Sequence, residues 1–373
     1  RRRAGVAGVR TRVSRAMYFQ VVRLEIARGE GETRAVGRRA RGGAVKTRER
    51  GSEGVARCPC PSFSTPERVA RSRMIRRRRR PGPRRVVVVA PTATRASVVA
   101  MRGIDDEVYL GGVEALNQGL HDFCSVDHSM LGTAYIPLGA GVQTALRFLD
   151  KAIHQGFRVI LIDTIPPKGQ VAFTHPDYYS IWSRIQEAKL AVVLHIGATG
   201  APYKPVPDEL FENGNPESPK AHSDAPPNAM SYMGMHYNAE LFLSGMILDG
   251  VLEKFPNLKI GVVELGASWI ISWMQRLDQA HRAFRRIQDL NSVKMRPSEY
   301  VQRQIKVTPF AGEDINWILT NGGEDLLMFA SDYPHHEGTD DPIGRFEKTM
   351  IDTSENLKQK FYTDNFKALI PFA

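Results

Sequence analysis

The sequence predicts an α/β protein with a (β/α)8 TIM-type barrel, and two observations lead to this prediction. Strands and helices alternate along the chain from about Arg84, which is typical of parallel crossover connections. In addition, three apolar runs each end on one polar side chain: 190–194 on His195, 260–263 on Glu264 and 326–331 on Asp332. Ligands and catalytic groups of a parallel barrel lie at the carboxyl ends of its strands, so these three residues are candidates for a shared site.

Local signals define the individual elements in chain order. The valine run at 86–90 predicts a short buried strand, and the apolar spacing over 105–123 predicts a helix. Gly156 suits the left-handed C-cap of a helix over 142–154, and Pro176 starts a helix over 176–188. The other predicted strands cover 133–138, 157–162, 190–195, 305–309 and two segments that end at Glu264 and Asp332, and the other predicted helices cover 239–254 and 313–320.

A doubly wound open sheet would show the same alternation of strands and helices. Such a sheet usually carries a glycine-rich phosphate loop after its first strand, and the sequence contains neither a G-x-G-x-x-G nor a Walker pattern. Polar residues at the ends of three separate strands instead favour a closed barrel, in which all strand ends converge on one pocket.

Charge divides the chain into two regions. Residues 1–102 contain 27 Arg, one Lys and six Glu, a net charge of +22, whereas the whole chain carries +11 and the remainder therefore −11. We expect two segments: an Arg-rich, low-complexity head over 1–82 that is mostly disordered, and a barrel over 83–373. The excess of Arg over Lys in the head is more typical of biased codons or a misread frame than of a selected nucleic-acid-binding arm.

Partners and compartment follow from composition. The chain has three cysteines, Cys58, Cys60 and Cys124, in no zinc or disulfide pattern, which agrees with a reducing compartment. No run approaches the roughly 20 apolar residues of a membrane span. We expect a cytoplasmic protein that binds a small-molecule substrate and neither a membrane nor nucleic acid, with a homodimer left open as its oligomeric state.

Each candidate residue has a structural alternative. His195 could be a structural histidine whose ring is hydrogen-bonded within the protein. Asp332 could cap the turn before Pro334, and Glu264 could bond only backbone amides or Trp269. His236 precedes a helix that Asn238 could cap, so capping competes with a catalytic role. His335 is expected to face substrate or solvent, and Trp269 is expected to be mostly core while remaining a candidate for substrate binding.

Four segments resemble the amidohydrolase-related (amidohydrolase 2) family, which includes aminocarboxymuconate-semialdehyde decarboxylase. These segments are 194–197 (LHIG), 244–260 (SGMILDGVLEKFPNLKI), 264–269 (ELGASW) and 330–335 (ASDYPH). The resemblance covers about 105–370 and implies a distorted (β/α)8 barrel with a divalent metal, commonly zinc. It also implies metal-ligand roles for His195 and Asp332, and it places Glu264 where the decarboxylases carry a catalytic histidine.

The chain departs from this family pattern upstream of Val86. The family holds its metal partly through an H-x-H pair on the first strand, yet residues 1–120 contain no histidine. We therefore expect a barrel that is incomplete at strand 1, with the proper strand replaced or misread, and weak or absent metal binding. A barrel lacking one strand would also expose two sheet edges.

The function predicted from the resemblance is that of a metal-dependent hydrolase acting on a small carboxylated or cyclic organic substrate through activated water. The alternative is a nonoxidative decarboxylase of an aromatic or unsaturated carboxylate. Predicted catalytic residues are Asp332, Glu264 and His236, predicted metal ligands are His195 and Asp332, and predicted substrate-binding residues are His335 and Trp269. An inactive interaction barrel and a basic-arm nucleic-acid-binding fusion are the alternatives from other classes. The insertion 201–228 is expected to set substrate choice.

Overall fold

The computed structural model describes residues 86–89, 105–196, 229–332 and 341–370. All of them belong to one of two units in the chain; the other unit, Gly29–Gly82, lies outside the described residues. The predictions for the head over 1–82, the missing first strand, the insertion 201–228 and His335 likewise fall outside the described residues. The division of the chain at residue 82 remains a prediction.

Six parallel strands form one sheet in which chain order and spatial order coincide. Every neighbouring pair is parallel, so all the carboxyl ends lie at the same edge. The strands are β1 (Val86–Val88), β2 (Met130–Ile136), β3 (Val159–Ile162), β4 (Ala191–His195), β5 (Lys259–Val263) and β6 (Ile305–Val307). This sequential parallel order with intervening helices confirms the predicted α/β class and an incomplete TIM-type barrel.

Helices connect the strands and continue beyond the last one. The helices are α1 (Asp106–Cys124), α2 (Val142–His154), α3 (Tyr179–Glu187), α4 (Ala229–Gly234), α5 (Tyr237–Leu248), α6 (Val251–Lys254), α7 (Trp269–Phe284), α8 (Pro297–Gln304), α9 (Ile315–Ile318), α10 (Pro342–Thr349), α11 (Glu355–Gln359) and α12 (Asn365–Leu369). In the described part of the chain, none of these helices combines the length and the apolar character that a membrane crossing requires. The predicted bounds of α2 agree with the structure at both ends.

Two helices are interrupted or shorter in the structure than the sequence predicts. The helix expected over 239–254 divides into α5 and α6 at Gly250, whose φ of 76° lies in the left-handed region. A Cβ at Gly250 would lie 2.5 Å from Ser292 Cβ, so the tight approach also requires glycine. The helix expected over 176–188 begins with the 3-10 turn Pro176–Tyr178 before α3.

The predicted strand that ends at Asp332 is a single parallel bridge between Val307 and Leu327. Met328 N–H donates to the Val307 carbonyl, but Phe329 N–H then donates to the Phe361 carbonyl in the C-terminal helical region. Because this second bond leaves the sheet direction, regular pairing ends after one step. The prediction of burial was nevertheless correct, since Leu326, Leu327, Met328 and Phe329 are at most 1% exposed.

The strands are buried on both faces, as a parallel sheet covered by helices requires. All residues of β3 and β4 are buried, including the polar residue His195 at the end of β4. Trp182, Trp273 and Tyr300 are fully buried in the helical layer. The sheet therefore presents its polar strand ends at one edge, above an apolar interior.

Candidate active site

His195 and Glu264 meet at the carboxyl ends of two adjacent strands. His195 is the last residue of β4, its partner in the register is Val263, and Glu264 follows directly. His195 Nε2 lies 2.7 Å from Glu264 Oε2, and the two side chains are 0% and 4% exposed. Parallel pairing therefore brings together two groups that are 69 positions apart in the chain. A buried carboxylate requires such a partner.

The hydrogen bonds of the His195 ring fix which nitrogen can exchange a proton. His195 Nδ1 is 2.9 Å from the Ile196 carbonyl, which can only accept, so Nδ1 carries hydrogen and donates. His195 Nε2 makes no well-aligned hydrogen bond to any described residue, although Glu264 is within ion-pair distance. The Glu264 carboxylate therefore lies where it can pair with positive charge on the His195 ring.

Glu264 and Asp332 both adopt backbone conformations that L-residues avoid. Their φ angles are 58° and 51°, and the third described non-glycine residue with positive φ is Lys189 in the turn before β4. Glu264 N–H donates to Thr308 Oγ1 at 3.1 Å, which ties the strained residue to the segment after β6. Strained conformations of this kind cluster at functional sites because the surrounding structure must hold them.

Asp332 lies at the same end of the sheet as Glu264. The parallel bridge at Leu327 sets the chain direction, and Asp332 follows five positions later with a partly buried side chain next to buried Ser331. The structure therefore places the predicted carboxylate beyond the carboxyl end of the sheet, as the apolar run indicated.

His236 stacks on Trp269, close to the carboxyl end of the sheet. The two ring centroids are 5.3 Å apart with an interplanar angle of 18°, and His236 Nε2 lies 3.5 Å from Glu240 Oε2. Burial, followed by the positive charge of Arg276, lowers the pKa of His236 to about 4. His236 is therefore neutral at physiological pH, and its predicted catalytic role would be that of a base or a hydrogen-bond partner.

The Trp269 indole is held in place at the start of α7. Its N–H donates to the Gly266 carbonyl at 2.9 Å, and its ring packs against Trp273 at 5.5 Å. This satisfied N–H leaves the ring face as the part of Trp269 that could contact a ligand. The sequence analysis offered a bond from the indole N–H to Glu264 as a structural role for that carboxylate. In the structure the indole N–H donates to the Gly266 carbonyl instead.

A small cavity, with room for about one water molecule, lies beside His195 at this end of the sheet. Its polar lining consists of Thr164, His195 and Asn238, and its apolar walls include Leu194, Met235 and Leu265. Asn238 makes no side-chain cap to α5, contrary to the capping alternative, and its Oδ1 has no hydrogen-bond partner in the described structure. The cavity thus combines an apolar wall with polar side chains, on the scale of one bound water molecule.

Asp163 is a strand-end carboxylate that the sequence reasoning missed. It follows Ile162 at the end of β3, is 0% exposed, and its two carboxylate oxygens share the single hydrogen of the Tyr135 hydroxyl, at 2.8 and 2.9 Å. Burial and the nearby Asp163 charge raise the pKa of Tyr135 well above its usual value, so the phenol remains a donor. The run at 157–162 followed by Asp163 is the same signal that identified His195 and Glu264.

The described residues do not assemble a complete metal site. No group of three or more His, Cys, Asp or Glu side chains within the described ranges has the arrangement to hold a metal ion. His195 Nε2 and a carboxylate are suitable donors for a divalent cation, but a protein metal site normally takes three or four such ligands. The donor set is therefore insufficient on the residues described.

Comparisons with known proteins give a family and a fold. The family model described as Amidohydrolase matches residues 67–372. No curated protein matches the chain.

Several solved structures share the fold at low sequence identity. An amidohydrolase from Mycobacterium avium subsp. paratuberculosis K-10 has a TM-score of 0.55 at 21% identity, covering 71% of this chain and 65% of its own. The 5-carboxyvanillate decarboxylase of Sphingomonas paucimobilis has a TM-score of 0.55 at 20% identity, covering 72% and 74%. A dihydroxybenzoic acid decarboxylase from Polaromonas sp. JS666, with bound manganese and the inhibitor 2-nitroresorcinol, has a TM-score of 0.54 at 20% identity, covering 71% and 76%. The chain thus spans about two thirds to three quarters of the lengths of these proteins.

Proposed function

The chain belongs to the Amidohydrolase family, and we propose that it catalyses the nonoxidative decarboxylation of a small aromatic or unsaturated carboxylate. Family membership confirms the expectation of an enzyme family, while the activity of this chain is the proposal. The observation that carries it is the buried contact between His195 and Glu264 beside a cavity. The likeness in fold to two decarboxylases supports the choice of reaction.

Decarboxylation requires a proton at the carbon that loses carbon dioxide. The bond between that carbon and the carboxylate breaks, its electron pair stays on the carbon, and one proton replaces the departing CO2. His195 lines the cavity and its Nε2 atom has no aligned hydrogen bond, so we assign the delivery of this proton to Nε2. The Ile196 carbonyl keeps hydrogen on Nδ1 throughout, which restricts the exchange to Nε2.

Glu264 has the role of holding positive charge on His195 before the transfer. Its Oε2 atom faces Nε2 at 2.7 Å in an environment that is closed to water. A carboxylate at this distance stabilises the imidazolium electrostatically, because charges interact strongly where solvent is excluded. Asp332, at the same end of the sheet, is proposed to move protons between solvent and the site. The substrate-binding roles of His335 and Trp269 and the catalytic role of His236 also remain proposals.

A divalent metal is part of the proposal as a weakly held cofactor. One protein of similar fold contains manganese, so zinc is one candidate among several. His195 and Asp332 are the proposed ligands in this chain; because His195 Nδ1 carries hydrogen, a metal would bind Nε2, so His195 acts either as a ligand or as the proton donor and not as both at once. Because the described ligand set is incomplete, no chemical step is assigned to the metal.

Hydrolysis of an amide, ester or lactone is the second candidate function. The observation that favours it is the match to the Amidohydrolase family itself. In this case Glu264 and His195 would act together as a base that takes a proton from water. The small-molecule substrate is common to both candidates.

The test is a parallel assay of the purified full chain with aromatic carboxylates, including 2,6-dihydroxybenzoate and 5-carboxyvanillate, and with simple esters, lactones and amides. Release of CO2, with product formation that is lost in Glu264→Gln, would support decarboxylation. Acid release without CO2 would replace it with hydrolysis. Turnover that is the same in wild type and Glu264→Gln would overturn the assignment of the site.

A further inference from the structure

The carboxylate of Glu313 joins the loop that follows β5 to the loop that follows β6. Its Oε1 atom accepts a hydrogen bond from the backbone N–H of Ser268 at 2.6 Å, and its Oε2 atom accepts one from the N–H of Phe310 at 2.6 Å. The N–H of Ala267 is shared between the two carboxylate oxygens, at 3.0 Å from each. Three backbone donors from two loops therefore converge on one partly buried side chain.

The loop that Glu313 holds begins with Glu264. Glu264 has a φ of 58° and Gly266 a φ of 67°, so the backbone turns sharply between the end of β5 and the start of α7. A Cβ at Gly266 would lie 3.2 Å from the Phe310 ring, which shows that the two loops also pack closely. Because L-residues avoid positive φ, the conformation of Glu264 depends on contacts that hold the chain around it.

Two anchors hold the backbone around Glu264. The N–H of Glu264 donates to Thr308 Oγ1 at 3.1 Å, and further along the loop Glu313 accepts from Ala267 and Ser268. Both anchors, Thr308 and Glu313, belong to the segment between β6 and α9. This segment therefore determines where the Glu264 carboxylate lies relative to the rest of the site.

A simpler role for Glu313 would be to cap α7, which begins at Trp269. A carboxylate at a helix start is favourable as an acceptor and through the helix dipole. Capping α7 does not require the bond to Phe310, which lies outside that helix. Phe310 N–H donates to Glu313 Oε2 and Glu313 N–H donates to the Phe310 carbonyl at 3.1 Å, so Glu313 is also fixed within its own loop. This arrangement transmits the position of one loop to the other.

We propose that Glu313 is a positioning residue that holds Glu264 against His195 by fixing the loop before α7 to the loop after β6. The contact that it maintains is the 2.7 Å separation between Glu264 Oε2 and His195 Nε2. Small displacements at such a contact reduce turnover strongly, because the reacting groups must be held in position. The effect on turnover rests on the proposed function, whereas the conformation of Glu264 can be measured without a reaction.

The first variant is Glu313→Gln in the full chain. Glutamine keeps one carbonyl oxygen, but its NH2 group can only donate, so it cannot accept from the N–H groups that the second carboxylate oxygen holds. We expect kcat for CO2 release to fall about 10- to 100-fold while KM changes less than about twofold, because the lost contact acts in the transition state. Circular dichroism and a cooperative unfolding transition show that the variant is folded. An unchanged kcat would overturn the proposal.

Combining this variant with Glu264→Gln separates an action through Glu264 from a general effect on the loop. If Glu313 acts through Glu264, adding Glu313→Gln to Glu264→Gln should lower kcat by less than about twofold further. A double variant whose loss equals the product of the two single losses would show that Glu313 acts independently of Glu264, and the proposal would be wrong.

Glu299→Gln is the matched control. Glu299 Oε2 accepts a hydrogen bond from the Arg296 N–H at 2.8 Å at the start of α8, so the same substitution again alters a carboxylate at a helix start. This variant should keep the kcat and KM of wild type. Equal losses of kcat in Glu299→Gln and Glu313→Gln would show that a weakened helix start is sufficient to explain the effect.

NMR of the chain with isotope-labelled glutamate reads the conformation of Glu264 without turnover. The Glu264 signal is identified by its absence from the spectrum of Glu264→Gln, and its α-carbon chemical shift depends on φ. Glu313→Gln should move this signal, whereas Glu299→Gln should leave it in place. A signal that moves in a chain that releases no CO2 would retain the positioning role and remove the decarboxylase assignment. CO2 release by wild type with a signal that stays in place in Glu313→Gln would retain the reaction and overturn the positioning role.

Discussion

The two ends of strands β4–β6 differ in how their polar groups are satisfied. At the amino ends, Lys259 Nζ donates to the Arg303 carbonyl at 2.8 Å, and Gln304 Nε2 donates to the Phe255 carbonyl at 3.0 Å. At the carboxyl ends, His195 Nε2 has no aligned hydrogen bond and Glu264 occupies a strained conformation. At the amino ends, polar side chains bond to the backbone of neighbouring segments. At the carboxyl ends, His195 Nε2 has no such bond.

This difference separates stability from function within the same strands. In (β/α) barrels the amino-terminal face contributes to stability and the carboxyl-terminal face carries chemistry. Substitutions at the amino ends should therefore change unfolding and leave activity intact. Substitutions at the carboxyl ends should change activity and, at neutral pH, leave unfolding nearly intact.

The largest expected effect is on activity at the carboxyl end. Glu264→Gln removes the charge beside His195 while keeping the size of the side chain, so the imidazolium loses its partner. We expect turnover to fall by about 10² to 10⁴, with a circular dichroism spectrum like that of wild type. The control is Glu253→Gln in α6, which leads into β5; Glu253 accepts a hydrogen bond from Tyr300, and this variant should keep full activity. A comparable loss in both variants would break the comparison.

The next effect concerns the pH dependence of stability at His236. Its pKa is lowered from 6.5 to about 4, so between these values the unfolded chain binds a proton that the folded chain does not. The free energy of unfolding should therefore be unaffected by His236 above pH 6.5 and fall as pH decreases from 6.5 to 4, by at most about 3 kcal/mol. Urea unfolding at several pH values should show a smaller decrease for His236→Gln. Equal pH slopes for wild type and variant would contradict the burial of a neutral ring.

Lys306 gives the corresponding prediction at the amino end. Burial, followed by the charge of Lys259, lowers its pKa to about 8, and Asp325 offsets part of this shift. Below pH 8 the folded chain holds a buried ammonium at a cost, so Lys306→Met should raise the unfolding free energy at pH 7 by about 1–3 kcal/mol. The gain should shrink as pH rises from 8 to 10.5, where the lysine of the unfolded chain also becomes neutral. Reduced turnover in this variant would show that the two ends are not separable.

The smallest expected effect is the gain in unfolding free energy when a divalent metal is added. If His195 and Asp332 are the only strong ligands, binding in the range of 100 μM would add about 0.4 kcal/mol of stability at 100 μM metal. Thermal unfolding with manganese or zinc, together with elemental analysis of the purified chain, measures this effect. Stoichiometric metal that survives dialysis would show that other residues complete the site.

The sequence predicted the positions of His195 and Glu264 because a strand end is visible as an apolar run closed by a polar residue. The contact between the two side chains required the register of β4 against β5, which no local pattern encodes. Asp163 could have been found by the same rule, since it closes the run at 157–162. The apolar run before Asp332 correctly predicted buried side chains but wrongly predicted a regular strand. Strand pairing ends there because the Phe329 N–H donates to the carbonyl of Phe361, which is distant in the chain.

Other features depended on tertiary packing and were beyond local patterns. The stacking of His236 on Trp269 and the cavity near Asn238 arise where α5 and α7 approach the sheet. The division of the predicted helix at Gly250 reflects the close approach of Ser292, which is 42 positions away in the chain. Sequence patterns identify which side chains end strands, whereas the shape between those ends depends on packing.

In the proposed reaction His195, supported by Glu264, delivers a proton to a substrate carbon that loses CO2. The decisive experiment is the reaction of an aromatic carboxylate substrate in D2O, followed by NMR. We expect one deuterium at the carbon that carried the carboxylate, and a rate that falls at least about 100-fold in both His195→Gln and Glu264→Gln. Undiminished CO2 release and deuterium incorporation in both folded variants would show that neither residue takes part in the proton transfer.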